Sequence, residues 1–167
     1  TLRVFSVIGA LALAALGIGP VQRAMGSRAG FIYTVFTLAM PITIAMAQEA
    51  RMYTWAAFFV TGSALYGYFG YLEGKAKDWA LFGLLTAAAS HTHYYALLAV
   101  ALLGVILLAA MIAGKRRLDP FLYTVGAVTL LYIPWLIKLA GAIGRVKGSY
   151  WIPPVTGKVI GQVFTYP

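Results

Sequence analysis

The sequence predicts an all-α fold, a polytopic transmembrane helical bundle with about six to seven membrane segments. Three observations carry this. The chain is 62% hydrophobic and 10% charged, against about 25% charged for an average soluble domain. Its apolar residues fall in long runs separated by short charged or Pro/Gly-containing breaks. Many of its aromatics, 14% of all residues, stand near the ends of those runs, where amphipathic rings anchor at headgroup level.

A spanning helix needs roughly 20 apolar residues. The first candidate runs from Val4 to Gly19 and is expected to end at Pro20. A short loop with Arg23 and Arg28 follows. The second runs from Gly30 to Ala47, with a kink expected at Pro41. The third runs from Met52 to Leu72, before the charged loop Glu73–Asp78. Trp79 to Ala113, about 35 residues, is too long for one ordinary span. The reading is two helices, Trp79–Ser90 and Tyr95–Ala113, joined at His91-Thr92-His93, with one long tilted helix as the alternative. Phe121–Leu139 is the next span, with Pro134 inside it. A polar loop from Gly141 to Thr156 follows, and Val159–Tyr166 is read as the start of another helix. The sequence begins at Thr1 near an apolar run and stops at Pro167 as a segment begins. It is therefore read as a piece of a longer polytopic protein, with 1–167 forming part of one transmembrane domain.

The formal net charge is +9. In a soluble protein that would point to nucleic acid. Here the basic residues cluster in short loops, so topology and anionic membrane lipid explain them and nucleic acid is excluded as a partner. Arg23 and Arg28, then Lys75 and Lys77, then Lys115, Arg116 and Arg117 fall in alternate loops, which belong on the cytoplasmic side. Lys138, Arg145, Lys147 and Lys158 run against that pattern. The polar-aromatic segments Gln48–Tyr53, His91–Tyr95 and Tyr150–Pro154 then share the opposite side. No cysteine is present, so redox compartment is not readable.

Gln48-Glu49-Ala50-Arg51-Met52-Tyr53 is the most informative run. A charge at mid-bilayer costs about 2.5–3.5 kcal/mol on an insertion scale, so this acid and base belong at a water interface or in a polar cavity. On a helix, Gln48, Arg51 and Trp55 would share one face and Glu49 and Tyr53 another, so the two charges would not neutralise each other. Arg51 suits a phosphate, because its planar fork binds oxygens bidentately. A snorkelling or interfacial ion pair is the competing reading.

His91 and His93 do not converge on a helix but could on an extended break. Three roles stay open: solvating the break, contacting a phosphate or substrate, and binding a metal with a distant ligand such as Glu49. Tyr150-Trp151-Ile152-Pro153-Pro154 suits a sugar ring, an isoprenoid chain or simply the membrane interface. Glu73, Asp78 and Asp119 sit beside basic loops and are read as solvated charges outside the site. No phosphate-cradling glycine loop, CxxC pair or nucleophile elbow is present.

In order, an Arg-bearing loop, a span ending in Pro41, the Gln48–Tyr53 run, a basic loop, His91-Thr92-His93-Tyr94-Tyr95 and Tyr150–Pro154 resemble the bacterial branch of the GT-C membrane glycosyltransferases. More narrowly, they resemble the dolichyl-phosphate-mannose protein mannosyltransferase-like family, glycosyltransferase family 39, which includes the lipid A aminoarabinose transferases. The resemblance implies a polyprenyl-phosphate-sugar donor and a lipid, glycan or protein acceptor. It implies an active site facing outward from a bacterial inner membrane. It also implies a catalytic acid on an outer loop preceding this sequence, so that the piece by itself is expected to be inactive. Carried onto this chain, Arg51 meets the donor phosphate and Glu49 orients Arg51 or a substrate hydroxyl. Gln48, Tyr53, His91, His93 and Tyr94 line the substrate cavity, and Tyr150 and Trp151 cover its entrance. No cofactor is firmly expected, though a divalent metal is compatible. The alternative function is a transporter or flippase for a lipid-linked or anionic substrate, since intramembrane ionisable groups also mark transport paths.

Overall fold

The structure, a computed structural model, describes residues 2–146, and every regular element among them is a helix. Chain contacts divide the chain into two compact units, 1–132 and 133–167. The first holds α1 (Leu2–Ala15), a π-helical turn (Gly17–Val21), α2 (Gln22–Met25), α3 (Ser27–Ala39), α4 (Pro41–Gln48), α5 (Tyr53–Glu73), α6 (Ala76–Thr92) and α7 (Tyr94–Ala113). The last helix, α8 (Asp119–Val146), begins in the first unit and ends in the second.

Pro20 does not end the first helix. It sits inside the π-helical turn, and the chain stays helical to Met25. A proline lacks the N–H for an i→i−4 bond, and its ring clashes with the carbonyl four residues back. Here the Leu16 carbonyl instead accepts from the Val21 N–H at 2.9 Å, one residue past the proline, and the widened turn absorbs the ring. The helix stops at Gly26, where φ is +88°. Pro41 does interrupt the second run. Met40 is extended (φ −64°, ψ 123°), Pro41 opens α4, and α3 and α4 meet at a bend of 55°, as the restriction on a pre-proline residue requires. The long apolar stretch breaks at His93 into α6 and α7. Where a loop is expected from Gly141, α8 continues through Gly141 to Val146; the rest of that expected loop and the expected helical start Val159–Tyr166 lie outside the described residues.

Among the described residues, three stretches are long and apolar enough to cross a membrane: Arg3–Met25, Tyr94–Ala113 and Asp119–Lys138. A fourth exists if the bent pair α3–α4 is one span. This corrects the expected six to seven segments. α6 is only 17 residues long. α5 has the length, at 21 residues, but it is diluted by Gly, Ser, Thr and Tyr. Those small residues have a packing role. α5 is the central helix and packs on α1, α6 and α7. At Gly70 a Cβ would lie 2.8 Å from Trp79 Cε2, so only glycine lets the indole lie against the α5 backbone. Without a hydrophobic drive between helices in lipid, such close packing supplies the association. Polar contacts add to it: Thr86 donates to Ser63 at 3.3 Å, and Ser63 donates to the Phe59 carbonyl at 2.8 Å.

The main core joins Trp79, Phe82, Leu107, Met111 and Phe121. Outward faces of α3, α7 and α8 carry exposed Phe31, Phe36, Leu102, Ile106, Leu130 and Leu131, an apolar exterior suited to lipid.

Candidate functional site

Two polar groups form at opposite ends of α5. At its N-terminal end, residues 49–52 of the Gln48–Tyr53 run break the chain between α4 and α5, with Glu49 extended (φ −80°, ψ 138°). That geometry overturns the helical face argument. Off a helix, Glu49 and Arg51 turn to the same side, and Arg51 Nε lies 3.7 Å from Glu49 Oε2. The pair is loose and exposed, at 63% for Arg51 and 47% for Glu49, so its net strength is small. Arg51 Nη1 also donates to the Tyr53 hydroxyl at 3.3 Å. Tyr53, then Glu49, raise the pKa of the guanidinium above its ordinary value. A guanidinium has five N–H donors, and these contacts leave several facing solvent.

The break is held from α1. The buried Ser6 hydroxyl donates to the Arg51 carbonyl at 2.8 Å, and the buried Thr54 hydroxyl donates to the Ser6 carbonyl at 2.9 Å. Trp55 Nε1 donates to the Phe5 carbonyl at 2.9 Å. Gly9 permits this approach, since a Cβ there would lie 2.6 Å from Thr54 Oγ1. None of Phe5, Ser6, Gly9 or Thr54 was singled out from sequence. Their only signal is Ser6 and Gly9 spaced three apart on an apolar helix, a spacing typical of small-residue helix contacts.

His93 brings the second break to the first. Its ring lies 5.6 Å from Tyr53 and 5.3 Å from Tyr95, centroid to centroid. It also caps α7, accepting from the Tyr95 N–H at Nδ1, 3.2 Å. Because Nδ1 accepts, neutral His93 carries its proton on Nε2, which is left as a donor. His91 has the opposite tautomer. Its Nδ1 lies 2.9 Å from the Ala87 carbonyl, which can only accept, so Nε2 keeps a lone pair. The His91 ring packs edge-on to Tyr132 at 5.2 Å. The Tyr132 hydroxyl is buried without a hydrogen-bond partner among the described residues.

Of the residues expected from sequence, Glu49, Arg51, Tyr53 and His93 therefore meet in one cluster, with Tyr95 beside them. His91 faces Tyr132 instead. Gln48 and Tyr94 are exposed at the same end. Tyr150 and Trp151 lie outside the described residues. Among the described residues no group of three or more His, Asp or Glu side chains converges as a metal would need.

The opposite end of α5 corrects another expectation. Asp78 is not solvated but 1% exposed. Arg23 grips it bidentately at 2.8 and 2.9 Å and reaches Glu73 at 2.7 Å. The guanidinium stacks 3.9 Å above the Phe69 ring. Hydrogen bonding from Arg23 holds the Asp78 carboxyl below its usual pKa, and Lys75, then Arg23, does so for Glu73. Compared with known protein families, curated proteins and solved structures, the chain matches none.

Proposed function

We propose that the chain is part of an integral membrane glycosyltransferase that moves a sugar from a polyprenyl-phosphate-linked donor to a lipid, glycan or protein acceptor on the extracytoplasmic side of a bacterial inner membrane. The observation that carries this reading is the convergence of Arg51, Tyr53 and His93 at one end of the helices, with several Arg51 donors unpaired among the described residues. A polyprenyl phosphate leaves as an anion, and negative charge grows on its bridging oxygen as the glycosidic bond breaks. A preorganised cation at headgroup level stabilises that charge while the lipid tail stays in the bilayer. Glu49 orients Arg51 from one side and Tyr53 from the other. The Nε2–H of His93 is a second donor toward phosphate or sugar oxygens.

One observation favours a transporter or flippase instead: the 55° break between α3 and α4, since broken helices line substrate paths in transporters. The full-length protein in membranes, supplied with labelled polyprenyl-phosphate sugars, separates the two. Transfer of label that Arg51→Ala abolishes and Glu49→Gln weakens, at equal expression, supports the transferase. Movement of the donor across the bilayer without glycosidic cleavage supports transport. Transfer indifferent to both substitutions reduces the cluster to an interfacial ion pair.

A further inference from the structure

We propose that the cavity at the turn between α7 and α8 binds the phosphate headgroup of an anionic membrane lipid. This inference is independent of the transfer reading. The cavity, about 450 Å³, opens between the C-terminal ends of α5 and α7 and the start of α8, and Tyr71, Glu73, Trp79, Lys115, Arg116 and Arg117 line it.

Its charge is uncompensated. Among the described residues neither Lys115 nor Arg116 has an acidic partner, and Arg117 reaches Asp119 only at 3.4 Å. Glu73, the acid in the lining, is already engaged by Arg23 and Lys75. Arg116 is held in place by stacking on Tyr71, 5.4 Å from its ring centroid. The indole Nε1 of Trp79, a lining residue 3% exposed, has no partner among the described residues.

The backbone supplies a second, independent observation. α7 ends in a Schellman turn: Arg116 N–H donates to the Met111 carbonyl at 2.9 Å and Lys115 N–H to Ile112 at 3.1 Å. The residue between the helix cap and Arg116 must then be left-handed, and glycine is usual there. Here it is Lys115, at φ +50°, although a glycine stands one position earlier. A non-glycine held in this region is strained, and such strain gathers at functional positions. At Lys115 it sets an ammonium on the cavity rim.

The ligand class follows from position. α7 ends and α8 begins on either side of a five-residue connection, 114–118, and each is long and apolar enough to span. The ends they share at the cavity then lie at headgroup depth, where basic residues meet anionic lipid phosphate. A cavity of this size falls in the range of small-ligand sites.

The test uses the purified chain in detergent with phosphatidylglycerol or phosphatidylcholine added, and native mass spectrometry to read retained lipid. Preferential retention of phosphatidylglycerol is expected. It should fall roughly fivefold for Lys115→Gly and for Arg116→Gln, while Lys77→Gln, outside the cavity but at the same end, leaves it unchanged. Lys115→Gly should also raise the thermal midpoint, because it relieves the left-handed strain, so weaker binding there cannot be ascribed to misfolding. Equal retention of the two lipids would overturn the proposal, as would unchanged retention in both cavity variants or an equal loss in Lys77→Gln. Displacement by inorganic phosphate at constant ionic strength would mark a soluble-phosphate site and overturn the lipid assignment.

Discussion

The Ser6 hydroxyl donates to the Arg51 carbonyl at 2.8 Å across 45 residues of sequence. The candidate phosphate ligand thus sits on a loop whose backbone is fixed by the first helix. Because Ser6 is fully buried and its carbonyl also accepts from Thr54, Ser6→Ala removes one bond without opening a large void. The expected loss is about 1–2 kcal/mol of stability, with faster amide exchange confined to 49–52. A uniform rise in exchange over the whole of α1 would show instead that Ser6 only supports packing.

His93 has two separable jobs, capping α7 through Nδ1 and contacting the rings of Tyr53 and Tyr95. His93→Ala should cost about 1 kcal/mol through the lost cap. His93→Asp should recover most of that stability, because an Asp side chain caps well, yet recover none of the site's donor function, because an ionised carboxylate only accepts. Thermal midpoints and transfer assays on the two variants check the split.

At the other end of α5, the danger lies in leaving Asp78 alone. Arg23→Met removes the cation that satisfies a carboxylate 1% exposed, and an unpaired buried carboxylate costs on the order of 3 kcal/mol. The double variant Arg23→Met with Asp78→Leu should recover much of the loss, because both charges are then gone. Denaturation midpoints that simply add would mean the two residues do not act as a pair.

The same network sets an acid limit. Both carboxyls have folded pKa values below their unfolded ones of about 4, the Asp78 shift caused first by Arg23 and the Glu73 shift first by Lys75. The folded state therefore binds fewer protons in this range. The stabilisation is complete above the unfolded values and disappears as pH falls through the lower folded ones. Thermal midpoints should be flat near neutrality and drop below about pH 4. In Arg23→Met the drop should become shallower, since Asp78 is no longer held down.

Gly70→Val should destabilise by about 1–3 kcal/mol through overpacking, because even its Cβ would meet the Trp79 indole at 2.8 Å. Trp79→Leu in the same chain should relieve part of that loss. Circular dichroism melts of the single and double variants give the comparison.

Composition and spacing alone determined the helical class, the Pro41 break, the break at the His pair and the grouping of Gln48–Tyr53 away from Lys75 and Arg116. These follow from local rules, since proline geometry and apolar run length act within a few residues. Tertiary structure decided the rest. Pro20 is carried through by a π-helical turn, which depends on the Leu16–Val21 bond rather than on residue type. Asp78, indistinguishable in sequence from an exposed loop acid, is buried because α2 brings Arg23 over it and the ion pair offsets desolvation. Ser6 reads as an unremarkable small residue until α1 lies against the Arg51 carbonyl. Glu49 and Arg51 pair only because the segment leaves the helix, so the relation between those two charges was set by backbone direction, which their spacing could not specify.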